Sequence, residues 1–259
     1  MSTFQNIEVK RDQGIFWLTL NRPDVRNALD QTMLREIGLA VQEAEADPEV
    51  KVIVFKGAGG KSFAAGADIK QLRDREPLEA LVPGMQGLYS QIEKSTKATV
   101  AVVEGYALGG GCELALACDI RIATERAKFG LPELNLGIIP GAGGTQRLSR
   151  IVGKGHALDM ILTGKFVSGE EAHRIGLVQY SIASDNLNEK INEVIDPILK
   201  KGPVAIQLAK QAVHHGYDLS GDAAMWIEKL SQAVAFGTED KHEGTSAFIE
   251  KRKPNFNNR

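Results

Sequence analysis

Short runs of aliphatic and β-branched residues alternate along this chain with longer stretches whose apolar positions recur every three or four residues. The short runs read as buried strands: residues 15–20 (IFWLTL), 50–57 (VKVIVFKG), 99–103 (TVAVV) and 119–123 (DIRIA). Residues 9–10 and 15–20, parted by Asp12, Gln13 and Gly14, predict an opening hairpin. Between the strands, Asp30 is a suitable N-cap for a helix carrying Leu34, Ile37, Val41 and Ala44 on one face, and Asp47 with Pro48 ends it. Strand, helix, strand in that order predicts an α/β architecture of βαβ type, with helices covering the sheet faces. Further on, Ser168 and Glu171 are spaced as a capping box, and residues 178–181 read as a short strand. Polar residues 184–188 lead to an all-helical end. There Pro203 opens one helix, and Ala223, Ile227, Leu230 and Val234 stripe another, as core or as subunit interface.

Chemistry concentrates where strands turn into helices. In residues 105–119 (GYALGGGCELALACD), three glycines, Gly109 to Gly111, fall between a strand and a helix-favouring run. A helix start offers free backbone N–H groups and a positive dipole end, and glycine lets another molecule approach that backbone. Glu113 is the one acid between Gly109 and Cys118, a stretch otherwise built for burial; a lone glutamate there is most simply a carboxylate favouring the dipole. A second junction changes that balance. Residues 63–72 (FAAGADIKQL) again lead small residues into a helix start, with Asp68 expected in its first turn. Backbone N–H groups near Ala67 and Gly110 therefore lack intrahelical partners. Converging on one point, they would form an oxyanion hole, each donor contributing roughly 3 kcal/mol to a developing negative oxygen. Just upstream, Gly60, Lys61 and Ser62 imitate the end of a phosphate-binding P-loop, but Phe55 occupies the position of the required first glycine.

A second isolated acid, Glu133, lies in the irregular, glycine-rich stretch 129–148 among Leu131, Leu134, Leu136, Ile138 and Ile139. Such a setting raises a carboxyl pKa and suits it to carrying a proton near neutral pH. Gly141, Gly143 and Gly144 then introduce the next helix, whose start would add positive potential.

Composition narrows the class. With 259 residues, 43% of them hydrophobic, the chain can bury a large core, as one domain or as a main domain with an appendage. A net charge of −2 gives no global case for binding nucleic acid or an anionic membrane. Glu104, Glu113 and Asp119 interrupt every run approaching membrane-spanning length, and neither end carries a targeting pattern, which predicts a cytoplasmic protein. Cys112 and Cys118, six apart on one predicted helix, are expected as buried reduced thiols, and the five histidines form no HExxH or zinc spacing, so no metal is expected.

Four segments, NRPDVRNAL, FAAGADIK, GYALGGGCELALACD and FGLPELNLGIIPGAGGTQRL, resemble in order and spacing those of the crotonase superfamily, specifically enoyl-CoA hydratase. The likeness runs from about Asn21 to the end, where residues 238–256 resemble the family's closing helix. It implies a spiral of repeated ββα units over residues 1–195 and a C-terminal helical oligomerisation region over 196–259, forming homotrimers or hexamers. It implies a lyase of fatty-acid metabolism that needs no cofactor, adding water to an acyl-CoA thioester. Glu113 and Glu133 would act on water and substrate, and the N–H groups of Ala67 and Gly110 would bind the thioester oxygen. Ala65, Ala67, Asp68, Ile69, Lys70, Gly110 and Gly141 would line the acyl-CoA site. Leu131 stands where some of these hydratases have a polar Gln, which bears on water positioning or acyl preference. Arg26, Lys70, Lys251 and Arg252 are candidates for the CoA phosphates, and Val82, Pro83 and Gly84 for a lid over the acyl pocket. An enoyl-CoA isomerase working through the same enolate with one carboxylate, and a non-catalytic RNA-associated member, are the alternatives.

Overall fold

In the computed structural model, which describes residues 4–257, the chain opens with the expected hairpin of β1 (Ile7–Asp12) and β2 (Ile15–Leu20). Helix α1 (Gln31–Ala46) follows, its N-terminus closed by the Asp30 carboxylate, which accepts the Met33 N–H at 2.7 Å. One plan then repeats three times. Long β3 (Val52–Gly57) and short β4 (Ser62–Ala64) lead to α2 (Ile69–Arg73) and α3 (Gly84–Glu93). Long β5 (Ala98–Val103) and short β6 (Tyr106–Leu108) lead to α4 (Gly110–Ala117), and β7 (Ile120–Thr124) and β8 (Lys128–Gly130) lead to α5 (Gly144–Thr163). This is a spiral of ββα units. Short β9 (Val167–Ser168), α6 (Gly169–Arg174) and β10 (Tyr180–Ile182) complete it. Helices α7 (Leu187–Leu199), α8 (Pro203–Gly216), α9 (Gly221–Phe236) and α10 (Glu239–Ile249) end the chain.

The long strands form one sheet in the order β1-β2-β3-β5-β7-β10, parallel from β2 onward. All six residues of β5 are buried, as expected of a strand covered on both faces. One face packs on the main core with α1, α3 and α4; the other is covered by Leu187, Ile191, Val194 and Ile195 of α7. The short strands form a second sheet, β4-β6-β8-β9, in which Ala64 pairs with Ala107 and Ala107 with Phe129. Three successive repeats therefore leave this sheet side by side.

Several expectations change. The strands β4, β6 and β8 are three residues each, too short for an alternating pattern to reveal. The stretch 129–148, expected to be irregular, holds the end of β8, a 3₁₀ turn (Glu133–Leu136) and the start of α5. Asp68 is the N-cap of α2 rather than a first-turn residue, accepting the Lys70 N–H at 3.0 Å. Only half of the capping box forms: Ser168 accepts from the Glu171 N–H, but the Glu171 carboxylate turns to Arg174. The α9 stripe is not core of this chain, since Leu230 and Val234 are 61% and 57% exposed. Cys112 and Cys118 are buried free thiols.

Candidate active site

Helix α4 is buried along its whole length, and its first turn carries Glu113, 2% exposed. Gly109, the residue before the helix, has φ 51°, a conformation a side chain resists. A Cβ there would also stand 3.0 Å from Glu133 Oε1, so the glycine brings the second acid against the helix start. The Glu113 carboxylate is not free. Its Oε1 accepts the Ala142 N–H at 2.8 Å and the Gly144 N–H at 2.7 Å, both from the turn that opens α5. Burial pushes the Glu113 pKa up, while these two N–H groups and the Arg147 charge oppose it.

Glu133 opens the 3₁₀ turn four residues after Phe129 of β8. Its Oε2 is buried and has no hydrogen-bond partner among the described residues. Burial pushes its pKa up to about 7; its own backbone N–H opposes this and the Glu113 charge adds to it. An unpaired buried carboxyl oxygen costs about 1–3 kcal/mol, which marks a site kept for something other than stability.

The two proposed donor junctions touch. Ala67 is bridged to Leu29: the Leu29 N–H donates to Gly66 O at 2.8 Å, and the Asp68 N–H donates to Leu29 O at 3.0 Å. A Cβ on Gly66 would lie 3.9 Å from the Gly110 nitrogen, and one on Gly111 would strike Ala64 O at 2.2 Å. Among the described residues, neither the Ala67 nor the Gly110 N–H is given to an acceptor. Three residues that sequence reading missed hold this arrangement. Buried Asn27 donates from Nδ2 to Ala58 O at 3.1 Å and Ser62 O at 2.8 Å, pinning the loop before Leu29 to the start of β4. The Tyr89 hydroxyl, on α3, donates to Gly110 O at 2.7 Å, and Met85 packs on Gly110. No local pattern signals these partners, because they are set by tertiary packing.

The remaining candidates are less enclosed. Ala65 and Asp68 are half-buried, Ile69 and Lys70 are exposed on α2, and Gly141 is exposed beside buried Ala142. Leu131 is fully buried. Val82 is exposed after a 3₁₀ turn (Pro77–Leu81), and Pro83 is the N-cap of α3. Arg26 is exposed with left-handed backbone, whereas Arg252 is already engaged by Glu243 and Glu250. A cavity of about 1040 Å³ lies elsewhere, between α3, α5 and α8; Gly143 and Arg147 line it, but neither Glu113 nor Glu133 does. Its acids are all paired, Asp119 with Thr99, Lys210 and His214, Glu93 with Arg147 and Asp218 with Arg150, whereas Glu133 keeps an unpartnered oxygen. Among the described residues, no cluster of three or more His, Cys, Asp or Glu could hold a metal, and no helix is long and apolar enough to cross a membrane.

A protonatable acid, a pinned second acid and two nearby backbone donors are the parts from which a site able to hold a carbonyl oxygen and move protons beside it can be built. Comparisons with known proteins give the family. The enoyl-CoA hydratase/isomerase family profile matches residues 10–259. A crotonyl-CoA hydratase of Syntrophomonas wolfei is 43% identical over 255 residues, covering 98% of both chains. A short-chain-enoyl-CoA hydratase of Clostridium acetobutylicum is 42% identical over 250 residues, 96% of each. The solved enoyl-CoA hydratase of Bacillus anthracis superposes with a TM-score of 0.94 at 37% identity, covering 98% of this chain and 100% of that one. The chain belongs to the enoyl-CoA hydratase/isomerase family.

Proposed function

We propose that this protein hydrates the 2,3 double bond of trans-2-enoyl-CoA thioesters, giving 3-hydroxyacyl-CoA, with Glu113 and Glu133 as its acid–base pair. Water oxygen bonds to C3, the π electrons move toward the thioester, and negative charge gathers on its oxygen. The Ala67 and Gly110 N–H groups meet that charge without reorganising. C2 gains a proton from the carboxyl pair and the proton lost by the water passes back to that pair, so the thioester has gained H and OH overall and the two carboxyls end with the proton they began with. Glu133 carries the proton to C2, and Glu113 orients and activates the water; as two neighbouring acids they titrate as a coupled pair. The observation that carries this reading is the unpaired Glu133 Oε2, on a carboxyl pushed to about 7, beside a Glu113 whose Oε1 is pinned.

In the same reading, Ala65, Ala67, Asp68, Ile69, Lys70, Gly110 and Gly141 line the acyl-CoA site, and the enzyme is cytoplasmic and works without a cofactor. Residues 1–195 form the spiral core and 196–259 the oligomerisation region, with α7 spanning the boundary. The exposed Met225, Trp226, Leu230 and Val234 of α9 support burial of that helix in a trimer or hexamer. The test is loss of enoyl-thioester absorbance on mixing the protein with crotonyl-CoA, beside folded Glu113→Gln and Glu133→Gln variants. Rapid loss with wild type and little with either variant is the expected result. No loss with short, long or branched 2-enoyl thioesters, but turnover of 3-enoyl ones, would replace hydration by isomerisation.

A further inference from the structure

Arg147 lies near the start of α5 with its side chain 10% exposed. Its Nε and Nη2 donate to the two oxygens of Glu93 on α3, at 3.0 and 2.8 Å, a planar fork on a carboxylate. The remaining arm, Nη1, donates to Ala142 O at 2.9 Å. The turn at residues 142–144 is thus gripped from both sides. The Ala142 carbonyl faces Arg147, while the N–H of the same residue, with that of Gly144, faces Glu113 Oε1. Gly143 sits between them at φ 105°, and a Cβ there would come within 2.1 Å of Arg147 Nη1, so the guanidinium fills the space any side chain would take. Helix α3, which supplies Glu93, also supplies the Tyr89 hydroxyl bonded to Gly110 O. A single helix therefore ties the carboxylate turn to a proposed oxyanion donor.

We propose that Arg147, anchored by Glu93, is a positioning residue for the hydration step: it fixes the turn whose two N–H groups hold Glu113 Oε1 and keeps that carboxylate aimed. This rests on the role given to Glu113 above. The groups coupled to Glu113 are Tyr89 from α3, Cys112 from its own helix, Glu133 from the 3₁₀ turn and Arg147 from α5. Of these, Arg147 alone is a cation. Lysine is a poor substitute, since a point charge cannot grip Glu93 with two arms and Ala142 with a third.

Two readouts test the proposal, one of them independent of turnover. In protein labelled with carbon-13 at the glutamate carboxyl, the Glu113 resonance is identified by its loss in Glu113→Gln and followed with pH. Arg147→Met is expected to move its titration to higher pH, and Arg147→Lys to move it less. In crotonyl-CoA hydration, Arg147→Met is expected to lower kcat by about 10- to 100-fold, the worth of one or two charge-assisted hydrogen bonds, with KM changed less than about threefold. Added to Glu113→Gln, it is expected to lower kcat little further, because it acts through that carboxylate. An unmoved Glu113 titration, or a kcat loss that multiplies fully onto that of Glu113→Gln, overturns the proposal. Should Arg147→Met fail to fold, Arg147→Lys carries both readouts. Wild type silent toward every 2-enoyl thioester sinks the hydratase reading instead, while the titration still judges the clamp.

Discussion

Replacing Glu133 by Gln is expected to abolish hydration and yet make the folded protein more stable above neutral pH. In the folded state, burial holds this carboxyl at about 7 instead of an ordinary 4.5. The protonated form is thus favoured by folding and the ionised form penalised. Between pH 4.5 and about 7 the unfolded chain has lost this proton while the folded chain keeps it, so wild-type stability falls across that window and levels off above it. At about 1.4 kcal/mol per pKa unit the full penalty is about 3 kcal/mol; because Glu133 is only half-buried, solvent screening reduces it to on the order of 1–2 kcal/mol. Glutamine never ionises and escapes the penalty. Urea unfolding of wild type and Glu133→Gln at pH 5 and pH 8 measures it, and the comparison across pH cancels any fixed cost of the amide. The variant is expected to gain on the order of 1–2 kcal/mol over wild type between the two pH values. No relative gain, or a loss, would refute the claim that this acid is held protonated by its surroundings. In wild type, kcat/KM is expected to fall as pH rises through about 7, where the proton destined for C2 is lost.

Gly144→Ala would place a Cβ 2.8 Å from Glu113 Oε1, so it is expected to swing the carboxylate away and lower kcat by about 100-fold or more, read by steady-state hydration of crotonyl-CoA. Tyr89→Phe removes the donor to Gly110 O while keeping the ring in the core; it is expected to cost about 1 kcal/mol in a thermal or urea unfolding experiment and to lower kcat by about tenfold, with KM little changed. Asn27→Ala leaves the carbonyls of Ala58 and Ser62 without their amide donor and is expected to cost about 2–4 kcal/mol in the same unfolding measurement.

The acids stood out because each is a single charge in an apolar stretch of sequence, Glu113 between Cys112 and Leu114 and Glu133 near Leu131 and Leu134, but Leu136, Ile138 and Ile139, expected to enclose Glu133, are exposed. The helix starts were legible from Asp30 and from the glycine runs before α4 and α5. What remained hidden was the second sheet, whose three-residue strands leave no periodic trace, and every contact made across long sequence separations. Asn27 reaches Ser62, Tyr89 reaches Gly110, and Arg147 reaches Glu93 only once the core has formed. The α9 stripe shows a different limit. Periodicity announces an apolar face but not what covers it, and here the chain's own core does not.

The second sheet also sets a dimension. Ala67 and Gly110 each follow, by three residues, the register partners Ala64 and Ala107 on neighbouring strands β4 and β6. The gap between the two proposed donors therefore descends from the spacing of hydrogen-bonded strands, about 4.8 Å in any protein. A width inherited from the backbone is set first by the sheet, and side chains such as Tyr89 and Met85 hold it there rather than define it. If the proposed donors do hold the thioester oxygen, changes in substrate range would come from the residues around them, while the donor spacing keeps one calibre.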